Sequence, residues 1–454
     1  MRDEETNTAA RQLRLALTIA VSVGITFGAT GLTPVGGVFA RVPSEFSVVA
    51  HRYAAVAGKC PGGVVTVKEE NYYGVPSKTN PGAGHLAAFF NHYQKVHPCV
   101  KIVQQRPVTT GDAQYLTHVL SQFSSGTQPD LLMVDNPQLP EFASDNLLVP
   151  LPSLGSLGTV VSKLNGANVA ETTYKGKLYA LPLYTNTIAI FYNKTLLRKA
   201  GITTLPTTWA AFGADAKKLA HGKDLGFVFA GQAGPGQATW QFDPWAWSNG
   251  GSLLRPDGRA SVQALAFLSG LVKEGAAPKA VVNWGQTQPI QEFEAGKAAF
   301  AENGLWNIPV LKSVYRKLNW GVFKIPTRLP HQTVIAPFGG EVWTIPKTNP
   351  REERAAFALL KAMSGNVYGI AKALDAVPTV TSMWRRAPWN GSLYAPFLSE
   401  LRHGRSRTVG FKIPSNQPAV SLDIGNEIEA ALIGKVSAAA AMKAAQRQVA
   451  PLLK

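Results

Sequence analysis

The chain lacks the residue patterns that most catalytic and metal centres require. Only two of its 454 residues are cysteines, too few for a structural zinc site unless several histidines join them, and the eight histidines are scattered. Neither a G-x-S-x-G, an H-E-x-x-H, a P-loop nor a C-x-x-C motif occurs. We therefore expect no catalytic residue, no metal and no cofactor.

Acidic residues are also scarce. The chain has 28 Asp and Glu against 45 Lys and Arg, which gives a formal net charge of +17. The basic residues are spread along the sequence, apart from a local cluster, LRHGRSR, at 401–407. A nucleic-acid-binding protein usually shows a basic stripe interleaved with aromatic residues. We interpret the charge as a surface suited to its medium or to an anionic cell envelope, and expect no nucleic-acid partner.

The N-terminus has the pattern of a secretory signal peptide. Arg11 and Arg14 precede a mostly apolar run at 15–32, and the sequence V-F-A then offers a small-residue cleavage site. We predict a signal peptide over 1–40 and a flexible tether over 41–60. A buried helix and an uncleaved membrane anchor remain open alternatives, since the run is nearly long enough to span a bilayer. The protein is expected to be exported, to the periplasm or the cell surface.

The two cysteines favour a disulfide. Cys60 comes shortly before the apolar run VVTV, and Cys99 comes directly before VKIV. If these runs are neighbouring parallel strands, their starts are adjacent and a bridge is geometrically possible. An exported chain also sits where disulfides persist. Two unpaired buried thiols are the alternative.

The length and the apolar pattern predict two α/β units. A chain of 454 residues is too long for one ordinary core. Between 61 and 135, three strand-like runs alternate with two segments of helical spacing, which predicts a parallel sheet with helices on both faces. From Thr207 onward, where Thr207 or Thr208 could cap a helix, the same alternation returns.

Aromatic residues concentrate in segments that we interpret as loops. Trp240 lies in ATWQFDPWAWSNGG, Trp306 follows a predicted strand, and Tyr72 and Tyr73 follow the first strand. Ligands of α/β proteins bind beyond the carboxyl ends of strands. Aromatic faces at that edge would suit the C–H faces of sugars. Packing is the alternative role for each tryptophan, and we assign it to Trp247.

The order of several motifs resembles family 1 extracellular solute-binding proteins, the sugar-type receptors of ABC importers. In chain order they are PDLLMVD, LPLYTNTIAIFYNK, WSNGG, FEAGKAAFAENGLW, GVFKIP, FGGEVWTIPK and AVPTVTSM. The resemblance implies an α/β fold of two lobes joined by hinge strands, the type II periplasmic-binding-protein fold, as in maltose-binding protein. It divides the chain into lobe one, 61–185 plus 341–388, and lobe two, 187–337 plus 392–454.

The resemblance also implies a ligand set in the cleft between the lobes. Asn186 falls at the first crossing, where the maltose receptor has a carboxylate, and Asn416 lies where the family pattern has an aromatic residue. Either Tyr72 or Tyr73 could contribute a side chain to the ligand site. The implied ligand residues are Tyr72, Tyr73, Asp135, Asn186, Trp240, Trp306, Gly339, Gly340 and Asn416. The implied partners are a small solute, most simply a sugar, and the membrane subunits of a permease, with the receptor itself a monomer.

Three other functions remain open at this point. The positive charge could favour an anionic solute, such as a glycerophosphodiester or a uronate. The Tyr72–Tyr73 pair suggests ferric iron as the bound solute, although tyrosine pairs in iron receptors usually lie late in the chain. A secreted glycoside hydrolase would also use aromatic loops, since its paired carboxylates need not be close in sequence.

Overall fold

The structure is a computed structural model that describes residues 60–73, 81–105, 112–234 and 236–454. The predicted signal peptide and all but the last residue of the predicted tether lie outside these ranges. Contacts divide the chain into two units, Met1–Gly63 and Val64–Lys454. All of the elements below belong to the second unit.

Sixteen α-helices occur within the described ranges. They are α1 Pro81–Val96, α2 Asp112–Ser125, α3 Leu139–Ser144, α4 Val160–Lys163, α5 Gly166–Glu171, α6 Lys194–Lys199, α7 Trp209–Leu219, α8 Ala238–Ser248, α9 Arg259–Lys273, α10 Thr287–Glu294, α11 Ile308–Ser313, α12 Pro350–Ser364, α13 Val367–Ala373, α14 Ala395–Leu401, α15 Gln417–Leu432 and α16 Ala438–Val449. Short 3₁₀ turns add the segments Asn136–Gln138, Leu305–Asn307, Thr381–Arg385 and Pro414–Asn416, which matter below.

The same ranges hold thirteen strands. They are β1 Val65–Glu70, β2 Val100–Gln105, β3 Leu131–Asp135, β4 Thr173–Tyr174, β5 Lys177–Leu178, β6 Ala180–Leu181, β7 Tyr184–Thr185, β8 Ile188–Asn193, β9 Leu225–Val228, β10 Ala298–Gly304, β11 Trp320–Phe323, β12 Glu341–Thr344 and β13 Val377–Pro378.

Two main sheets organise the fold. The first has the strand order β2-β1-β3-β12-β6, in which β1 runs parallel to β2 and β3 as predicted, and β12 runs antiparallel to β3 and β6. The second has the order β11-β8-β10-β9, and β8 is antiparallel to both of its neighbours. The strands of each sheet fall within the ranges expected for one lobe, while the lobe bounds themselves stay a prediction.

Polar residues fix the starts of several helices. The Thr208 side chain accepts a hydrogen bond from the Ala211 amide, which places the start of α7 at one of the two predicted caps. Asn349 caps α12 and is followed by Pro350, whose fixed φ suits the first turn. Both caps are residues next to the helix start, so the local sequence defines these two boundaries.

The predicted disulfide is confirmed. Cys60 and Cys99 are bonded to each other. Val65 pairs with Val100 at the first positions of the parallel strands β1 and β2, and the Val65 amide donates to the Cys99 carbonyl at 2.9 Å. The bridge therefore joins the segments that lead into two neighbouring strands, as the sequence spacing indicated.

The tryptophan-rich segment is a helix, which corrects its interpretation as a loop. All eleven residues of α8 are buried, and Pro244 lies inside the helix. A helix that is buried all round shows no apolar stripe, and an internal proline argues against a helix in sequence alone. The expected packing role of Trp247 agrees with its burial, and Trp209 is likewise in the core.

Trp245 ties α8 to the second sheet. Its side chain is fully buried, and its indole Nε1 donates to the Glu302 carboxyl of β10 at 2.9 Å. Among the residues that the structure describes, no helix is both long and apolar enough to cross a membrane.

We predict that Trp245→Phe lowers the free energy of unfolding by about 1–3 kcal/mol, because it removes the donor to a buried carboxyl group. Urea unfolding followed by far-UV circular dichroism measures the change. Trp320→Phe is the matched control, since Trp320 is half-buried at the edge strand β11. An equal loss in both variants would contradict a specific role for the Trp245–Glu302 hydrogen bond.

Candidate functional site

Two chain segments cross side by side between the sheets. Asn186 and Gly339 exchange backbone hydrogen bonds, with the Asn186 amide 3.1 Å from the Gly339 carbonyl and the Gly339 amide 2.9 Å from the Asn186 carbonyl. Hydroxyl groups secure the same pairing: Thr185 donates to the Gly339 carbonyl at 3.0 Å, and Thr187 donates to the Pro337 carbonyl at 2.9 Å. The crossing lies where β7 leads into β8 and where the chain enters β12.

Glycine is required at this crossing. A Cβ atom on Gly339 would lie 2.1 Å from Asn186 Oδ1 and 2.4 Å from Trp240 Cη2, far inside contact distance. Gly340 has φ +109°, a backbone conformation that residues with a Cβ rarely adopt. The close approach brings together four of the predicted ligand residues: Asn186, Trp240, Gly339 and Gly340.

Arg407 is the central charged group of this region, and it was not among the predicted ligand residues. Its guanidinium makes a bidentate pair with Asp135, with Nη1–Oδ2 at 3.0 Å and Nη2–Oδ1 at 2.6 Å, and Nη2 also donates to Asn136 Oδ1. The same guanidinium lies 4.7 Å from the ring centre of Trp240 on α8. Arg407 is only 6% exposed. It therefore connects the end of β3 in the first sheet to α8, beside the second sheet.

Further carboxyl groups surround the guanidinium. Glu171 accepts a hydrogen bond from Asn136 Nδ2 at 2.8 Å, and burial raises its pKa to about 7, against the lowering effect of Arg407 and its hydrogen bonds. Burial also raises the pKa of Asp243 well above its usual range, which the attraction of Arg407 only partly offsets. Burial lowers the pKa of Arg407 itself, but the Asp135 carboxylate leads a larger upward effect, so the net shift is upward.

Three buried polar atoms in this region have no hydrogen-bond partner among the described residues. They are Trp240 Nε1, Asp243 Oδ1 and Arg407 Nε. A buried donor or acceptor without a partner costs about 1–3 kcal/mol, so such atoms are uncommon in folded proteins. All three belong to or lie near the Arg407 guanidinium, since the Trp240 ring and the Asp243 carboxyl both interact with it.

Trp306 provides the more accessible aromatic ring. It lies in the 3₁₀ turn directly after β10, where Gly304 pairs with Ile188 just beyond the crossing. A Cβ atom on Gly304 would meet the Trp306 ring at 1.9 Å, so the ring lies directly over the glycine. Trp306 remains half-buried, whereas Trp240 is only 4% exposed and is approached by the Arg407 guanidinium.

The two adjacent tyrosines have different surroundings. The Tyr72 ring packs against Tyr115 with ring centres 3.9 Å apart. The Tyr73 hydroxyl donates to the Leu374 carbonyl at 3.4 Å and also interacts with Tyr184. Their side chains therefore serve separate contacts and do not form a matched pair of phenol ligands. Within the described ranges, no group of three or more His, Cys, Asp or Glu residues could hold a metal ion.

Asn416 uses its side chain within the protein. It lies in the 3₁₀ turn that leads into α15, and its Nδ2 donates to the Leu452 carbonyl at 2.7 Å. The structure places this turn against the segment Asn136–Gln138. We therefore leave Asn416 out of the ligand set proposed below.

The residues that the sequence did not single out are Asn136, Glu171, Asp243 and Arg407. Arg407 had appeared only as part of a basic cluster, and it lies 272 positions from Asp135 along the chain. No local pattern distinguishes it from its neighbours in LRHGRSR, although Arg405 is half-exposed and Arg402 is exposed. The ion pair with the distant Asp135 is what distinguishes the buried Arg407 from Arg402 and Arg405.

The chain belongs to the bacterial extracellular solute-binding protein family, whose model matches residues 76–369. A "Probable ABC transporter-binding protein" of Deinococcus radiodurans is 27% identical over 316 residues, which cover 63% of this chain and 71% of that protein. The diacetylchitobiose binding protein DasA of Streptomyces coelicolor is 33% identical over 300 residues, covering 63% and 68% respectively. The sequence resemblance to this family is confirmed.

The fold agrees with solved structures of the same kind. Maltose-bound MalE3 of T. maritima superposes with a TM-score of 0.73 at 24% identity, and the match covers 86% of this chain and 99% of that one. The predicted two-lobed periplasmic-binding-protein fold is therefore confirmed. The protein is a solute-binding protein of an ABC transporter, in a family that is extracellular.

We predict that Glu171→Gln changes how stability depends on pH. The folded-state pKa of Glu171 is raised, so its contribution is fully present at low pH and is lost as pH rises through about 7. Relative to the wild type, the variant should gain about 1–3 kcal/mol of unfolding free energy from about pH 5 to about pH 8. Urea unfolding at both pH values measures this, with exposed Glu274→Gln as the control. A wild-type-to-variant difference that does not change with pH would contradict the assignment.

Proposed function

We propose that the protein captures a neutral carbohydrate beside Arg407 and delivers it to the membrane subunits of an ABC importer. Family membership supports solute capture, and its similarity to DasA and MalE3 supports a sugar. The observation that carries the proposal is the buried Arg407–Asp135 pair, which lies beside atoms that still need hydrogen-bond partners.

The site has the groups that a sugar requires. Asp135 accepts hydrogen bonds from hydroxyl groups, the Arg407 guanidinium donates them, and the Asn186 amide can do both. The half-buried ring of Trp306 offers a flat apolar surface for a sugar C–H face. Trp240 has a different role from the expected stacking: its ring supports the guanidinium from 4.7 Å and so positions it.

The local charges favour a neutral solute over an anionic one. Arg407 pairs directly with Asp135, and Glu171 and Asp243 also act on its guanidinium. An anion would enter a region where the positive charge is already compensated, and would have to compete with Asp135 for the same guanidinium. The net charge of +17 belongs to the whole chain and not to this site.

The remaining parts of the proposal concern the form in which the protein acts. We propose an exported monomer that binds its solute without converting it and has no nucleic-acid partner. The contact set at the crossing is suited to binding, since both Asp135 carboxylate oxygens accept hydrogen bonds from Arg407.

Isothermal titration calorimetry of the purified protein tests the proposal. The titrants are maltose, maltotriose, diacetylchitobiose and galactooligosaccharides, with glycerophosphocholine as the zwitterionic phosphodiester comparison. We expect saturable binding of at least one neutral sugar, which chromatography recovers unchanged. Binding of the phosphodiester alone would overturn the carbohydrate proposal, and conversion of the sugar would overturn the receptor role.

Trp306→Ala should weaken binding of that sugar by about tenfold, since an aromatic contact contributes on the order of 1 kcal/mol or more. The matched control is Trp320→Ala, which removes a half-buried tryptophan from the outer strand β11. Calorimetry on both variants measures the change. Wild-type affinity in Trp306→Ala would show that the sugar lies elsewhere.

Gly339→Ala should weaken binding by about tenfold or more, because the added methyl group must displace Asn186 or Trp240. Gly270→Ala is the control, since a Cβ there meets nothing within 4 Å. Circular dichroism should show that both variants fold. Unchanged sugar affinity in Gly339→Ala would contradict the placement of the site at the crossing.

A further inference from the structure

A cavity of about 750 Å³ lies next to the crossing, with Phe338 and Gly404 in its lining. Neither Asp135, Asn186, Trp240, Trp306 nor Arg407 lines it. Its volume falls within the range of about 300–1,000 Å³ that is usual for small-molecule pockets. The cavity therefore has room for a small organic molecule.

One part of the cavity lining lies next to the short β7–β13 pair, which is separate from the two main sheets. It includes the turn Thr381–Arg385, which follows β13, the partner of β7. Trp384 anchors this turn by donating its Nε1 hydrogen to the Pro378 carbonyl at 2.8 Å. Asn165 lines the same part of the cavity, and its backbone amide donates to the Thr379 carbonyl at 3.0 Å.

Another part of the lining lies beside the second sheet. It is formed by Leu398 and Leu401 of α14, whose neighbour Phe397 packs against Phe191 of β8 with ring centres 5.9 Å apart. Phe338 lines the cavity next to the crossing residue Gly339. A molecule in the cavity would thus touch both halves of the fold and the segment that joins them.

The lining combines an apolar base with a positive rim. Phe338, Trp384, Leu398 and Leu401 are buried apolar residues, while Arg385 and Arg402 are exposed. The hydroxyl groups of Thr381 and Ser382 add hydrogen-bond donors, and no acidic residue lines the cavity.

The two rim arginines differ from Arg407 in their charge environment. Arg407 is paired with Asp135, whereas neither Arg385 nor Arg402 has an ion-pair partner within the part of the chain that the structure describes. Two uncompensated guanidinium groups beside an apolar pocket match a carboxylate or phosphate carried on an apolar body.

We propose that this cavity binds an amphipathic organic anion, with its apolar part against Phe338 and Leu401 and its anionic group between Arg385 and Arg402. A carboxylate and a phosphate monoester share the chemistry that the rim recognises. The bound molecule would favour the arrangement of the two halves seen here, because it would contact both the turn Thr381–Arg385 and the helix α14.

Fluorescence titration of the full chain with 8-anilinonaphthalene-1-sulfonate tests this site, because the dye is an aromatic anion. We expect saturable binding that octanoate or octyl phosphate displaces, the stronger competitor identifying the preferred anion. Uncharged octyl glucoside should compete at least about tenfold less well if the rim charges contribute as charge-assisted contacts do.

The double variant Arg385→Glu/Arg402→Glu should bind the dye at least about tenfold more weakly. Arg386→Glu is the matched control, because Arg386 is exposed and adjacent in the chain but does not line the cavity. Ser382→Trp, which fills the cavity without changing charge, should also abolish binding. Dye binding that is unsaturable, or that is unchanged in the double variant and in Ser382→Trp, would overturn the proposal.

Discussion

The buried ion pair between Arg407 and Asp135 is the interaction on which the arrangement of the site depends. A guanidinium that is 6% exposed requires a partner for its charge, since removing an ion from water costs several kcal/mol. Asp135 satisfies it bidentately from the end of β3, and the Trp240 ring lies beside it on α8. Both halves of the fold therefore contribute to a single charged group.

Other contacts near the crossing also involve the Arg407 guanidinium. Asn136 accepts from Arg407 and donates to Glu171, so one amide connects the guanidinium to a second carboxyl group. Gly339 lets Trp240 approach the backbone closely enough to lie under the guanidinium. Each residue limits the position of the next, which is how a site built on two sheets can be held to a defined geometry.

The pairing of basic with acidic side chains distinguishes two positively charged regions of the molecule. At the crossing, Asp135 pairs with Arg407, which under our first proposal suits the hydroxyl groups of a neutral solute. At the cavity lined by Arg385 and Arg402, neither arginine forms an ion pair with a described residue, which under our second proposal suits an anionic group. The composition could not distinguish these two environments, because it gives the number of basic residues and not which of them form ion pairs.

The sequence predicted the parts of the fold that local patterns determine. Apolar runs and caps located β1, β3 and the start of α7, and the family resemblance located Asn186, Gly339 and Trp306 near the crossing. The sequence analysis did not predict the helix α8, because residues on every side of it are buried and Pro244 lies inside it, so no helical apolar period is visible. It also failed for Arg407, because pairing across 272 positions leaves no local trace.

The most direct test of the proposed site is a crystal structure of the protein with the neutral carbohydrate that binds it. The account predicts a sugar ring over Trp306, with hydroxyl groups at about 3 Å from Asp135, Asn186 or the Arg407 guanidinium. A sugar bound away from the crossing, with no contact to Arg407 or Asp135, would contradict it.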